Sequence, residues 1–231
     1  MMTLKRFLVK GLPMCRCYGI KCLILFLCLF FVEAHADEII LDDYVKGLSS
    51  AWEEKSFLGN TQYTVTKEEN RLCIRASSKS SASALLYKIE YDLNEYPVLA
   101  WEWKVRNILA KGNALTKEGD DYAARVYVVF PSKLIWRTRA INYIWANRLP
   151  VGDAVPNQFT ANAIMVAVES GPDKTGVWIQ EKRNAYDDYK KFFGKEPPEP
   201  GAIAIMTDTD NTGEETLAWY GPIRILSGTH K

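Results

Sequence analysis

From about residue 60 onward this chain consists of short runs rich in Val, Ile, Tyr and Trp, separated by Gly, Asn, Asp and Pro, a pattern too finely divided for helices. Runs of this kind build sheets. Strands are expected near residues 63–66, 71–76, 84–91, 98–105, 124–130, 140–145, 163–169, 178–183, 202–207 and 217–226, which together predict an all-β, antiparallel β-sandwich. No repeat with a period of about 20–50 residues is visible and no low-complexity linker divides the chain, so residues 37–231 are expected to form one domain. With 48% apolar and 12% aromatic residues in 231, there is material for a large core, and disorder, collagen and coiled coil are excluded.

Successive side chains on a strand point to opposite faces, which sorts each run into two sets. In 98–105, Leu99, Trp101, Trp103 and Val105 form a core face and leave Ala100, Glu102 and Lys104 opposite. In 124–130, Ala124, Val126, Val128 and Phe130 form the core face, and Arg125, Tyr127 and Val129 a mixed one. If the two runs share a sheet, Glu102, Lys104, Arg125 and Tyr127 line one partly polar surface. A single short helix is expected at 185–193. Asn184 caps it, Asp187 and Asp188 sit in its first turn, Lys190 and Lys191 in its last, and Gly194 ends it. Tyr186, Tyr189 and Phe193 share one side and should pack on the sandwich.

The N-terminus has another character. Residues 1–21 carry Lys5, Arg6, Lys10, Arg16 and Lys21 with no acid, and the apolar run 22–32 precedes Ala34-His35-Ala36. This is the pattern of a secretory signal peptide over residues 1–36, with cleavage expected after Ala36. Its eleven apolar residues cover roughly half of a ~30 Å hydrocarbon core, so no permanent membrane span is expected once the leader is cleaved. A periplasmic or secreted location follows. The leader holds five bases and Glu33, so of 29 bases and 28 acids the remainder keeps 24 and 27. That balance offers no clustered positive field for phosphates, and nucleic-acid binding is set aside.

The same subtraction narrows the chemistry. Cys15, Cys17, Cys22 and Cys28 leave with the leader, so the domain keeps only Cys73, in an apolar strand pattern, and forms no internal disulfide. His35 is in the leader and His230 is penultimate, so the folded body has no imidazole. Ser-His-Asp and Cys-His nucleophile arrangements and the usual zinc sites are therefore disfavoured. Carboxylates, Lys, Arg, Tyr or a hard cation held by oxygens remain.

Three segments, 119–130 (GDDYAARVYVVF), 140–145 (AINYIW) and 206–213 (MTDTDNTG), resemble in this order the bacterial DUF3047 family. The resemblance extends over nearly all of the chain after the leader. It implies an exported β-sandwich similar in general shape to jelly-roll carbohydrate-binding domains, and it brings no catalytic residue.

Candidate sites cluster in these segments. Asp208 and Asp210 begin like a calcium loop, with alternate oxygen side chains before Gly213, yet Trp219 stands where an EF-hand needs its bidentate Glu. A weak Ca²⁺ site completed by Glu214 or Glu215 stands against a plain turn with Gly213 at positive φ. Asp120 and Asp121 precede Arg125 and can pair with it, and Asp208 or Asp210 nearby would make a carboxylate cluster around that guanidinium. Trp136, Arg139 and Asn142 combine an aromatic face with planar polar groups, as sugar pockets do, whereas Tyr143 and Trp145 share strand parity with Ile141 and read as core.

Two functions follow. The preferred one is a noncatalytic domain that binds a glycan or cell-envelope component through Arg125, Tyr127, Trp136, Arg139, Asn142 and Asp120, with no cofactor beyond a weak Ca²⁺ site. The alternative is a polysaccharide-active enzyme, a glycoside hydrolase using two carboxylates from Glu102, Asp120, Asp121, Asp208 and Asp210, or a lyase.

Overall fold

The computed structural model describes residues 37–228. The expected leader and His230 lie outside the described residues, which include no helix long and apolar enough to cross a membrane. In chain order the strands are β1 (Glu38–Ile40), β2 (Trp52–Leu58), β3 (Gln62–Glu68), β4 (Arg71–Lys79), β5 (Ala82–Lys88), β6 (Val98–Val105), β7 (Arg125–Phe130), β8 (Arg139–Ala146), β9 (Ala154–Pro156), β10 (Ala163–Ser170), β11 (Ile179–Asn184), β12 (Ala202–Asp208), β13 (Glu215–Tyr220) and β14 (Arg224–Leu226). A 3₁₀ turn at Ile135–Arg137 precedes β8, and the one α-helix among the described residues, α1 (Ala185–Phe193), follows β11.

These strands form two seven-stranded sheets. The first runs β1-β14-β6-β13-β4-β3 with β11 on the free side of β6, and the second runs β2-β5-β12-β7-β8-β10-β9. The sandwich is as expected, although β1, β2 and β9 fall where no strand is expected, and three further points differ. Strands β8 and β10 pair in parallel, within otherwise antiparallel sheets. The single strand expected over 217–226 is two, because Pro222 cannot donate to a ladder and the chain breaks at Gly221, whose N–H bonds Glu102 O at 2.9 Å. Strands β6 and β7 lie in different sheets, so Glu102 and Lys104 share no surface with Arg125 and Tyr127.

The alternation in the sequence places the core correctly. Leu99, Trp101, Trp103 and Val105 of β6 meet Val126, Val128 and Phe130 of β7 and Ile141, Tyr143 and Trp145 of β8 between the sheets. Trp101 stacks on Tyr143 at 5.3 Å between centroids, and Trp103 meets Trp145 at 6.0 Å. Cys73 is buried outside this core: next to Ile74 it points to the other face of its sheet, its thiol meets Thr66 O at 3.7 Å, and burial pushes it up to about 11. Helix α1 occupies the expected residues, with Asn184 accepting from the Asp187 N–H at 3.0 Å and Gly194 at φ 63°. It plugs one end of the sandwich, where Tyr189 lies 4.5 Å from Phe130 and Asp188 accepts from Tyr143 Oη at 2.9 Å.

At another point the core takes in an acid. Glu181 on β11, opposite Trp101, is largely buried, and burial followed by the nearby Glu169 raises its carboxyl to about 7 from an ordinary 4.5. The fold therefore favours the protonated form, and that preference is complete below about pH 4.5 and lost as the pH rises through about 7. Thermal unfolding measured from pH 4 to 8 should show wild-type stability declining across this window, and Glu181→Gln should remove that decline.

Candidate functional site

The outer face of the second sheet carries small side chains where the inner face carries large ones. Ala82 and Ala84 of β5, Ala204 of β12 and Ala163 of β10 leave its surface low. Phe57 of β2 and Met165 of β10 line one cleft of about 500 Å³ on this face. Their strands are five positions apart in the sheet, about 24 Å if it were flat, so the sheet must curl toward them. Phe57 is the extra residue of a bulge, since Ser56 pairs with Ser83 and Leu58 with Ala82. A bulge re-aims a side chain, and here it turns the ring over the cleft. Phe159, from the turn before β10, lines the cleft from the other side, and both rings are 59% exposed.

The polar end of the cleft is centred on Arg125, which is 6% exposed. Its Nε donates to Asp208 Oδ1 at 2.9 Å, its Nη2 forms an ion pair with Asp208 Oδ2, and its guanidinium lies 4.8 Å from the Tyr122 ring centre. Asp208 ends β12 and also accepts from the Tyr122 N–H at 3.2 Å, so one buried carboxylate ties two strands and the loop before β7. That loop is held by Asn147, which accepts from the Leu109 N–H and donates to Asp121 O, both at 2.8 Å. Gly119 permits its close turn, because a Cβ there would meet the Asn113 backbone nitrogen at 2.5 Å.

The loop delivers two carboxylates. Asp120 accepts from Tyr122 Oη at 3.1 Å and from Asn157 Nδ2 at 2.6 Å. Asp121, fully buried, accepts from the Thr212 N–H at 2.6 Å and from Asn211 Nδ2 at 3.2 Å. Carboxylate oxygens of Asp121, Asp208 and Asp210 lie within 4.8 Å of one another, a trio able to hold a metal. Burial, with Asp121 second, raises the Asp210 carboxyl above its usual range. Neither glutamate expected to complete a calcium site takes part: Glu214 accepts from the N–H groups of Ala110 and Lys111, and Glu215 faces Lys79 and Arg106. Calcium takes 6–8 oxygens, whereas Asp208 here faces Arg125 and both Asp121 oxygens accept N–H bonds. Arg125 supplies one positive charge to this cluster, through Asp208. Gly213 sits at φ 71°, as a turn requires.

The structure brings Arg125, Tyr127, Asn142, Asp120, Asp208 and Asp210 to one cleft. Asp121 stands directly behind it. Glu102 is apart, on the other sheet and paired with Arg71 at 2.8 Å, which removes it from any carboxylate pair with the others. Trp136, 68% exposed, lies on the 3₁₀ turn and lines an adjoining depression rather than the cleft. Arg139 borders the same depression, but its guanidinium donates to Tyr189 Oη at 2.9 Å and lies 4.6 Å from the Phe193 ring centre, so it anchors α1. Phe57, Phe159 and Asn157 were not foreseen, since no strand is expected over 52–58 and nothing in the sequence marks the bulge.

Fold and cleft together define a β-sandwich with an open groove on one sheet face. The chain belongs to the family described as protein of unknown function (DUF3047), which matches residues 50–224. No curated protein matches it. Among solved structures it is similar to the K3 cleaved adhesin domain of Lys-gingipain from Porphyromonas gingivalis W83, at 14% identity, 84% of this chain, 100% of that one and a TM-score of 0.43. The CBM22-1 xylan-binding domain from Paenibacillus barcinonensis Xyn10C is similar at 12% identity, 85% and 100% coverage and 0.42. The Emp47p carbohydrate recognition domain is similar at 11%, 81% and 93%, and 0.46.

Removing one member of a buried ion pair leaves the other charge without compensation, at a cost of about 3–5 kcal/mol. Arg125→Ala should lose stability of that order in urea unfolding. Arg125→Ala combined with Asp208→Ala should lose clearly less than the sum of the single losses.

Proposed function

We propose that this chain is an exported, noncatalytic binding domain that takes a glycan or cell-envelope component in the cleft of its second sheet. One observation carries the reading: two half-exposed phenyl rings, Phe57 and Phe159, border a cleft of about 500 Å³ whose floor carries hydrogen-bonding groups. Sugar CH groups pack against π-faces while a few oriented polar groups take the hydroxyls, and a space of this size is within the range of small-ligand pockets. Tyr127, Asn142 and Asp120 supply the polar side in this reading. Trp136 extends the surface along the adjoining depression.

A glycan array probed with the purified mature protein, with and without chelator, tests it. Binding by at least one glycan family is expected, and Phe57→Ala or Phe159→Ala should each weaken it about tenfold, equivalent to ~1.4 kcal/mol. Silence across a broad array would remove the glycan reading. Export is checked separately, by N-terminal sequencing of the product, which should begin at Asp37.

One observation favours the catalytic alternative. Asp210 lines the cleft, and burial followed by the neighbouring Asp121 raises its carboxyl above the usual range, the direction a general acid requires. Release of reducing ends from a polysaccharide, abolished by Asp210→Asn, would establish it.

A further inference from the structure

The polar atoms of the cleft are unbalanced in a way that bears on what can enter. Among its lining residues Arg125 is the only cation, and it is engaged by Asp208 and by Asp120 O. Asp120, Asp208 and Asp210 stand against it, three carboxylates to one guanidinium. Two bases at the rim, Lys55 and Lys117, sit 5.3 and 5.5 Å from the Phe57 and Phe159 ring centres, and neither lines the cleft. The Tyr127 hydroxyl is directed at Met206 Sδ, 3.2 Å away.

Asn142 adds an independent observation. It sits on β8 opposite Tyr127, is 1% exposed, lines the cleft, and its Oδ1 is buried with no hydrogen-bond partner. An unsatisfied buried acceptor costs about 1–3 kcal/mol and calls for a donor. Its neighbours Tyr127 and Met165 offer none in position.

We infer, resting on the glycan reading above, that the cleft selects donor-rich saccharides that are neutral or carry an amine and rejects uronic and sulfated ones, with Asn142 Oδ1 accepting a ligand O–H or N–H. An acidic sugar would bring its charge against three carboxylates, with the charge of the one guanidinium already paired to Asp208. A neutral or amino sugar brings the donor that Asn142 Oδ1 lacks.

The test is calorimetric titration of the full mature protein with three probe sets at 20 and 300 mM salt: neutral xylo- and gluco-oligosaccharides, chitosan oligosaccharides, and oligogalacturonates. The neutral or the amine set should bind at least about tenfold tighter than the acidic set, and the acidic deficit should shrink at high salt. Asn142→Leu, close in shape, should weaken the favoured probe about tenfold while leaving the unfolding midpoint unchanged or raised, because it removes an orphan acceptor rather than a contact. A purely structural Asn142 would instead lower the midpoint and leave affinity unmoved. Equal or tighter binding of oligogalacturonate, or unaltered affinity in Asn142→Leu, overturns the inference while the glycan reading stands. Binding by none of the three sets counts against both.

Discussion

Placing a guanidinium against the floor of a sheet removes it from water, and the desolvation cost is several kcal/mol unless a carboxylate meets it in good geometry. Arg125 is met by Asp208, and the consequences extend through this side of the sandwich. Asp208 also holds the Tyr122 N–H, Tyr122 in turn bonds Asp120, and Asp120 reaches Asn157 beside β10. One neutralised charge thus connects β12, β7, the preceding loop and the far rim of the cleft. From below, the Tyr220 hydroxyl accepts from the Arg125 N–H at 3.3 Å and donates to Met206 O at 2.7 Å, fastening the same two strands from the core side. The pair is best understood as the element that sets the shape of the cleft, since its charges are paired within the fold.

Much of this was legible because it follows from local rules. Period-two alternation in 98–105 and 124–130 assigned every large side chain to the correct side, and the caps of α1 were readable from Asn184 and Gly194. The proximity of Asp208 to Arg125 was also foreseeable as a matter of charge, because a strand-borne Arg flanked by acidic turns has to be neutralised somewhere, whereas Asp120, expected to pair with it, offers it only a backbone oxygen. Tyr143 and Trp145 fell into the core for the parity reason already visible beside Ile141.

What escaped depends on pairing between distant segments. Nothing in 98–105 or 124–130 says whether those strands share a sheet, so Glu102 was grouped with Arg125 although it faces the opposite side of the molecule. The parallel pairing of β8 with β10 is equally nonlocal, since the intervening β9 pairs antiparallel on the far side of β10. Phe57 was missed because Glu53-Glu54-Lys55-Ser56 breaks the apolar alternation of an edge strand. Charged residues on an edge discourage pairing with other chains, and the same charges conceal the strand from pattern reading.

The sheet's two faces divide the work. Its inner face carries the Trp, Tyr and Ile side chains that hold the sandwich together, so the outer face needs little apolar mass and can be lined with Ala, Met and Asn. That freedom is what allows a buried amide oxygen such as that of Asn142 to remain without a partner: a penalty of about 1–3 kcal/mol is tolerable where the aromatic core lies wholly on the other side. The packed interior carries orphaned atoms too, the Nε1 groups of Trp101 and Trp103, but these lie between the sheets, where nothing from solution reaches them. Asn142 Oδ1 differs from these in lining the face with space above it, which is where an incoming donor can meet it.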